Sequence, residues 1–179
     1  MRMLPVALYA YYKNLDEDEI SDLVNDISSL THGHDIAKLG CYIYTYYIYF
    51  LLNGKDKTEA YKEIQDLYYG YYSEDAIKAY DRILNDDISK YELKDIASTG
   101  YVVDTLESAL WLLLTTNSFN EAIIGSTNIG NDTDSIGAVL GSMVGIIYGL
   151  DDVDKQWLDT LQRKDYLYSL ATDFAKKIS

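Results

Sequence analysis

The sequence is poor in proline, cysteine and basic residues. Its 179 residues contain one Pro and one Cys, and 15 Lys and Arg face 29 Asp and Glu. A single proline leaves little to interrupt helices. The lone Cys41 cannot form an internal disulfide, which favours a reducing compartment and predicts a cytoplasmic protein. The net charge of −14 argues against a nucleic-acid partner, because phosphate contacts need clustered Lys and Arg.

The sequence also lacks a long hydrophobic run. Residues 39–52 and 137–149 are strongly apolar, but both fall short of the ~20 residues that span a bilayer. The apolar stretch after Met1 has no small-residue cleavage site and continues into Lys13, which is not typical of a signal peptide. The sequence therefore predicts no membrane partner.

Apolar spacing predicts an all-α protein. Hydrophobic residues make up 48% and charged residues 25%, which suits one globular domain at this length. Apolar residues recur at helical spacing from Ile20 to Leu30, and residues 36–52 are apolar nearly all round. A strand over residues 42–49 is the only competing pattern. Further helices are predicted over 58–69, 73–84, 102–115, 157–161 and 165–177, and another begins with a capping box of Ser118 and Glu121.

Nineteen tyrosines dominate the aromatic residues. We expect most of them to pack their rings in the core while the hydroxyl reaches the surface.

The loop of residues 125–137 carries the most informative polar cluster. Asp132, Asp134 and Ser135 stand where the loop enters a helix, and their hard oxygens suit Mg²⁺, Ca²⁺ or Mn²⁺. An aspartate that simply caps the helix is the alternative interpretation. The loop does not fit a phosphate-binding loop, because Asn131 stands where lysine is required. An EF-hand also fails, since Met143 occupies the last ligand position.

Glycines recur every four residues in the helix that follows this loop. Gly137, Gly141, Gly145 and Gly149 lie on one helical face. Each internal glycine costs roughly 0.5–1 kcal/mol relative to alanine. The pattern predicts that another helix approaches this face very closely and holds the preceding aspartates rigidly.

Two further polar segments precede helices. Residues 28–35 contain both histidines, and Thr31 or His34 is predicted to cap the next helix. The His34-Asp35 pair raises a second hypothesis, an HD-type phosphohydrolase, but His32 is too near to supply that class's separate histidine. Residues 98–106 form the other segment, for which capping and packing are sufficient on their own.

Together these segments resemble the ADP-ribosylglycohydrolase family. The resemblance rests on four motifs in order, and it spans nearly the whole chain. The motifs are Met-Arg-Met-Leu-Pro at 1–5, Thr-His-Gly-His at 31–34, Gly-Tyr-Val-Val-Asp-Thr-Leu at 100–106 and Gly-Asn-Asp-Thr-Asp-Ser-Ile-Gly at 130–137.

The resemblance implies a single all-α domain over residues 1–179, an orthogonal helical bundle. It implies a hydrolase that holds two Mg²⁺ (or Mn²⁺) ions and removes ADP-ribose from a protein side chain or from a small molecule that contains ADP-ribose. By position, the family's metal ligands fall on Asp132, Asp134 and Ser135, the last in place of the usual threonine. Substrate-binding positions fall on His32, Tyr101, Gly130 and Asn131.

The resemblance also implies that a segment upstream of Met1 is absent. That segment would carry the family's Thr-Asp-Asp ligands and its water-activating acid, so we expect the metal ions to be weakly held here. Association with a separate N-terminal fragment, or self-association, would cover the apolar surface left open. A noncatalytic ADP-ribose-binding module or a degenerate remnant remains the alternative to an enzyme.

Overall fold

The computed structural model describes residues 1–179 as eleven α-helices and no strand. No helix combines the length and the hydropathy that a membrane span requires. The all-α prediction is confirmed. The helices are α1 (Leu4–Lys13), α2 (Glu17–Ser29), α3 (Asp35–Leu52), α4 (Lys57–Gln65), α5 (Glu74–Ala79), α6 (Asp81–Asn85), α7 (Val102–Thr115), α8 (Phe119–Asn128), α9 (Thr133–Tyr148), α10 (Lys155–Thr160) and α11 (Lys164–Ile178). Short 3-10 turns cover Ile88–Lys90, Leu93–Asp95 and Leu150–Asp152.

Helix α3 is the central element of the bundle. It packs against α1, α2, α4, α5, α7 and α9, as its nearly continuous apolar surface predicts. His34 caps its start, because Nδ1 accepts a hydrogen bond from the Ile36 backbone N–H at 3.3 Å. Gly54 follows its end with a φ of 84°, which glycine adopts without strain. The competing strand over residues 42–49 is therefore wrong.

Two predicted helices are shorter than the periodicity suggests. The helix expected over 58–69 ends at Gln65, and the one over 73–84 breaks at Tyr80 into α5 and α6. The Tyr80 ring is fully buried, and its hydroxyl donates to the Ile36 carbonyl on α3 at 2.8 Å. A Cβ added to Gly40 would lie 2.2 Å from that hydroxyl oxygen. The break thus coincides with a tertiary contact that requires glycine on α3.

The tyrosine prediction is only half right. Many rings are buried as expected, but several hydroxyls bond inside the protein instead of reaching the surface. Tyr47 donates to the Lys57 carbonyl at 2.8 Å, and Tyr61 donates to the Ile83 carbonyl at 2.8 Å. A buried hydroxyl without a partner is costly, so ends of neighbouring helices supply the acceptors.

The glycine face of α9 packs on α8 over only part of its length. A Cβ on Gly137 would lie 3.4 Å from Ser126 Oγ, and one on Gly141 would lie 3.9 Å from Ile123. A Cβ on Gly145 would meet nothing within 4 Å. The predicted very close approach is therefore wrong: added Cβ atoms at Gly137 and Gly141 would make only ordinary van der Waals contacts, and the surface is open at Gly145.

Helix α8 begins with half of the predicted capping box. The Ser118 side chain accepts from the Glu121 N–H at 3.1 Å. The Glu121 carboxylate accepts instead from the Asn117 N–H at 2.8 Å, one residue earlier than the motif requires.

One partly buried ion pair joins α6 to α7. Glu107 is 5% exposed, and Arg82 Nε lies 3.3 Å from its carboxylate. The Arg82 guanidinium also stacks over the Tyr91 ring and donates to the Asp95 carbonyl. Burial raises the pKa of the Glu107 carboxyl, although Arg82 opposes this shift.

This raised pKa predicts a pH-dependent stability difference. A carboxyl whose pKa is higher in the folded state stabilises the fold most at low pH, and the contribution falls as pH rises through that pKa. We expect the stability of the wild type relative to Glu107→Gln to decrease as the pH rises above about 4, near the usual pKa of a glutamate in the unfolded chain. Urea unfolding at a series of pH values measures this difference in stability. Replacement of the exposed Glu74 with glutamine is the control. If the stability difference between wild type and variant depended on pH equally for Glu74→Gln and Glu107→Gln, the prediction would be contradicted.

Candidate active site

A cavity of about 630 Å³ lies where α1, α3, α7 and α9 meet. Its polar lining comes from the start of α1, the junction between α2 and α3, the start of α7 and the start of α9. These are the four segments that the sequence motifs mark. The lining residues are Met1, Arg2, Met3, Ser28, Thr31, His32, Ala37, Gly40, Cys41, Tyr44, Gly100, Tyr101, Val102, Thr105, Leu106, Asp132, Ser135 and Val139.

Asp132 occupies the N-cap position of α9 without capping it. Its carboxylate accepts no hydrogen bond from the first turn of the helix, and this carboxylate takes part in no other hydrogen bond or ion pair within the chain. An aspartate at this position ordinarily accepts from the N2 or N3 backbone N–H. The carboxylate instead lines the cavity, with Oδ2 3.4 Å from the position of a Cβ on Gly100. The capping alternative therefore does not explain this residue.

The other two predicted metal ligands divide between the cavity and the surface. Ser135 lines the cavity, whereas Asp134 is exposed in the first turn of α9 and lies outside the lining. Mg²⁺ in proteins is usually held by one or two carboxylates together with waters, so the donor chemistry fits. The chain gathers no cluster of three or more His, Cys, Asp or Glu residues that could hold a metal ion.

Gly130 and Asn131 shape the loop behind the cavity. Neither lines it. Gly130 and Asn131 both have positive φ values, 86° and 54°. The Asn131 amide donates to Ser98 Oγ at 3.0 Å, and the Asp132 backbone N–H donates to the Ser98 carbonyl at 3.0 Å. These two bonds fasten residues 130–132 to residues 98–100, and we call this pair of bonds the Ser98 latch.

Tyr101 and His32 both line the cavity; the resemblance places both among the substrate-binding positions. Tyr101 stands at the N-cap of α7 with 48% of its surface exposed. Thr99 holds this turn, because its hydroxyl oxygen accepts from the Tyr101 N–H at 3.2 Å. His32 Nδ1 lies 2.8 Å from the Thr31 hydroxyl.

Two other ionisable groups line the cavity in their neutral forms. Burial raises the pKa of the Cys41 thiol, and burial raises the pKa of the Tyr44 hydroxyl to about 12. A thiol must ionise to act as a nucleophile, so Cys41 is poorly suited to covalent catalysis. Asp132 is the one carboxylate in the lining and Arg2 the one Lys or Arg side chain.

The family model described as ADP-ribosylglycohydrolase matches residues 1–179. The chain belongs to this family. Membership agrees with the position of the four motifs around one cavity. The HD-type hypothesis gains nothing from the structure, where His34 is used as the helix cap of α3.

Similar proteins in this family act on ADP-ribosylated groups. The chain is 31% identical to the ADP-ribosylarginine hydrolase Tri1 of Serratia proteamaculans (strain 568) over 147 residues, which are 80% of this chain and 37% of that protein. It is 26% identical to the ADP-ribosyl-[dinitrogen reductase] glycohydrolase of Rhodospirillum rubrum, over 92% of this chain and 50% of that protein. The chain thus spans half or less of these relatives.

A solved structure shares the fold. The structure, titled an ADP-ribosylglycohydrolase-related protein complex, superposes with a TM-score of 0.78 and 22% identity. It covers 98% of this chain and 60% of the matched one. The helical bundle of the family is therefore confirmed for this chain.

Sequence analysis missed three residues that build the site. Gly40 lies on the cavity wall and admits the Tyr80 hydroxyl, and Ser98 forms the latch. Arg2 lines the cavity, a position that its motif alone does not predict. Contacts between distant segments define all three, and a single sequence carries no direct signal for such contacts.

Proposed function

We propose that this chain binds the ADP-ribosyl group in the cavity and forms part of a hydrolase that releases it from a protein side chain. The observation that carries the proposal is Asp132. It stands at a helix start, leaves its capping role unfilled, and points its carboxylate into a cavity lined by the family motifs. A carboxylate without a protein partner at such a place is available to a ligand.

The residues at the cavity would have different roles in binding and catalysis. Tyr101 offers an exposed ring at the cavity for stacking against a planar group. Asp132, Asp134 and Ser135 would hold Mg²⁺ or Mn²⁺, which when bound orients ribose hydroxyls and polarises the reacting centre. Fixed negative charge near the ribose favours an oxocarbenium-like state during glycosidic cleavage. Gly130 and Asn131 would act by shaping the loop that carries Asp132.

A noncatalytic ADP-ribose-binding module is the second candidate. The observation in its favour is that no three His, Cys, Asp or Glu side chains come together where they could hold a metal ion. The oxygens of Asp132, Asp134 and Ser135, the proposed ligands, would leave much of an octahedral shell to water. In that case the cavity would bind ADP-ribose without releasing it.

Mg²⁺-dependent release of ADP-ribose from an ADP-ribosylarginine protein distinguishes these candidates. We expect turnover near background from the chain alone and an increase when the N-terminal portion of a longer relative is supplied in trans. Titration calorimetry with ADP-ribose runs in parallel. Binding without release under both conditions would favour the module, and neither binding nor release would refute both proposals.

A further inference from the structure

Arg2, Thr31 and His32 form a hydrogen-bonded chain at the cavity wall. Arg2 Nη2 lies 2.6 Å from the Thr31 hydroxyl and 3.3 Å from the Ile27 carbonyl. The same hydroxyl lies 2.8 Å from His32 Nδ1. All three side chains line the cavity, and they come from the start of α1 and from the junction between α2 and α3.

The chemistry of these groups limits which atoms donate and which accept in this series of hydrogen bonds. A guanidinium only donates, so the Thr31 oxygen accepts from Arg2. The hydroxyl keeps one hydrogen of its own, which it can donate to His32 Nδ1 when that nitrogen is unprotonated. A neutral imidazole that accepts at Nδ1 carries its hydrogen on Nε2. In that tautomer His32 is a hydrogen-bond donor at Nε2.

The cavity has a single basic side chain for an anionic ligand. Arg2 is the one Lys or Arg that lines it, in a chain whose net charge is −14. Only Nη2 of Arg2 is engaged by protein acceptors, which leaves its other N–H groups for an anion. Guanidinium groups match the paired oxygens of phosphates.

We infer that Arg2 binds the diphosphate of the ADP-ribosyl group and, through Thr31, positions His32 to donate from Nε2 to the same anion. This inference rests on the proposed function, because it assumes that ADP-ribose occupies the cavity. It assigns Arg2 and Thr31 a role in recognising the charged middle of the ligand. Asp132 and Ser135 keep their proposed role beside the ribose.

The first test needs no ligand. Nitrogen-15 NMR of the imidazoles, at a pH where they are neutral, reports which ring nitrogen carries the hydrogen, and His34→Asn assigns the two signals. We expect His32 to be held in the Nε2–H form in the wild type and in Thr31→Ser. We expect a mixture of tautomers in Thr31→Val and in Arg2→Gln. A wild-type His32 with its hydrogen on Nδ1 would overturn the inference.

The second test compares ADP-ribose with adenosine, which lacks the diphosphate. Titration calorimetry should show a loss of about tenfold in ADP-ribose affinity for Arg2→Gln, the size expected for one charge-assisted hydrogen bond. Thr31→Val should lose affinity in the same direction and Thr31→Ser should restore it, while adenosine affinity stays unchanged. Equal losses of affinity for ADP-ribose and adenosine would indicate a general defect of the cavity. That result would overturn this inference but not the proposed function. Failure of the wild type to bind ADP-ribose would refute the proposed function itself.

Discussion

Replacing Asp132 with asparagine is expected to lower the Mg²⁺-dependent affinity for ADP-ribose by on the order of 100-fold. Loss of residues that merely support a metal ligand costs about 10–100-fold, and this change removes the charge of a proposed ligand itself. Asparagine has nearly the same shape and is an equally good N-cap residue. The fold should therefore survive the change, and the loss should reflect the ligand site.

Calorimetric titration of Mg²⁺ and of ADP-ribose measures this effect without turnover. Asp134→Asn is expected to weaken Mg²⁺ binding in the same direction, because Asp134 is the second proposed carboxylate ligand. Asp159→Asn is the matched control, since it removes the same charge from an exposed position on α10. Unchanged Mg²⁺ affinity in Asp132→Asn would show that the cavity carboxylate does not hold the ion.

Replacing Gly40 with alanine is expected to destabilise the protein by about 2 kcal/mol, as overpacking of a filled core does. The new Cβ would stand 2.2 Å from the Tyr80 hydroxyl oxygen. Tyr80 cannot withdraw easily, because its ring is fully buried and its hydroxyl is bonded to Ile36. This cost outweighs the gain of roughly 0.5–1 kcal/mol that alanine brings to a helix interior.

A double-mutant cycle isolates the contact. Gly40→Ala should cost less in a Tyr80→Phe background, since that change removes the clashing oxygen. Gly145→Ala is the matched control, because Gly145 lies inside a helix with nothing within 4 Å of its added Cβ. The Gly145→Ala substitution should raise the free energy of unfolding. Equal costs for Gly40→Ala in both backgrounds would contradict the proposed clash.

The sequence predicts most helices because local patterns determine them. Apolar spacing, the His34 cap and the Gly54 end of α3 all depend on residues within a few positions of one another. The helix break at Tyr80 depends instead on Ile36 and Gly40, which lie far away in the sequence. Periodicity therefore predicts one continuous helix where a tertiary contact makes two.

In the candidate site too, local patterns predict some features, and contacts between distant residues determine the others. Four motifs identified the segments that line the cavity, including His32, Tyr101 and Asp132. Their spacing did not reveal that Asp134 is exposed and absent from the cavity lining or that Asn131 is engaged with Ser98. Side-chain direction at a helix start depends on the backbone of its loop, and here that backbone is set by positive φ at two consecutive residues.

The Ser98 latch has a consequence for how the cavity responds to a ligand. Two bonds join the turn before α7 to the turn before α9, so the aromatic wall at Tyr101 and the acidic wall at Asp132 are expected to shift together. Binding of a ligand at one wall would then change the affinity for a ligand at the other wall. Thermodynamic linkage makes such coupling reciprocal. A planar group at Tyr101 and a metal ion at Asp132 would accordingly change each other's affinity by the same factor.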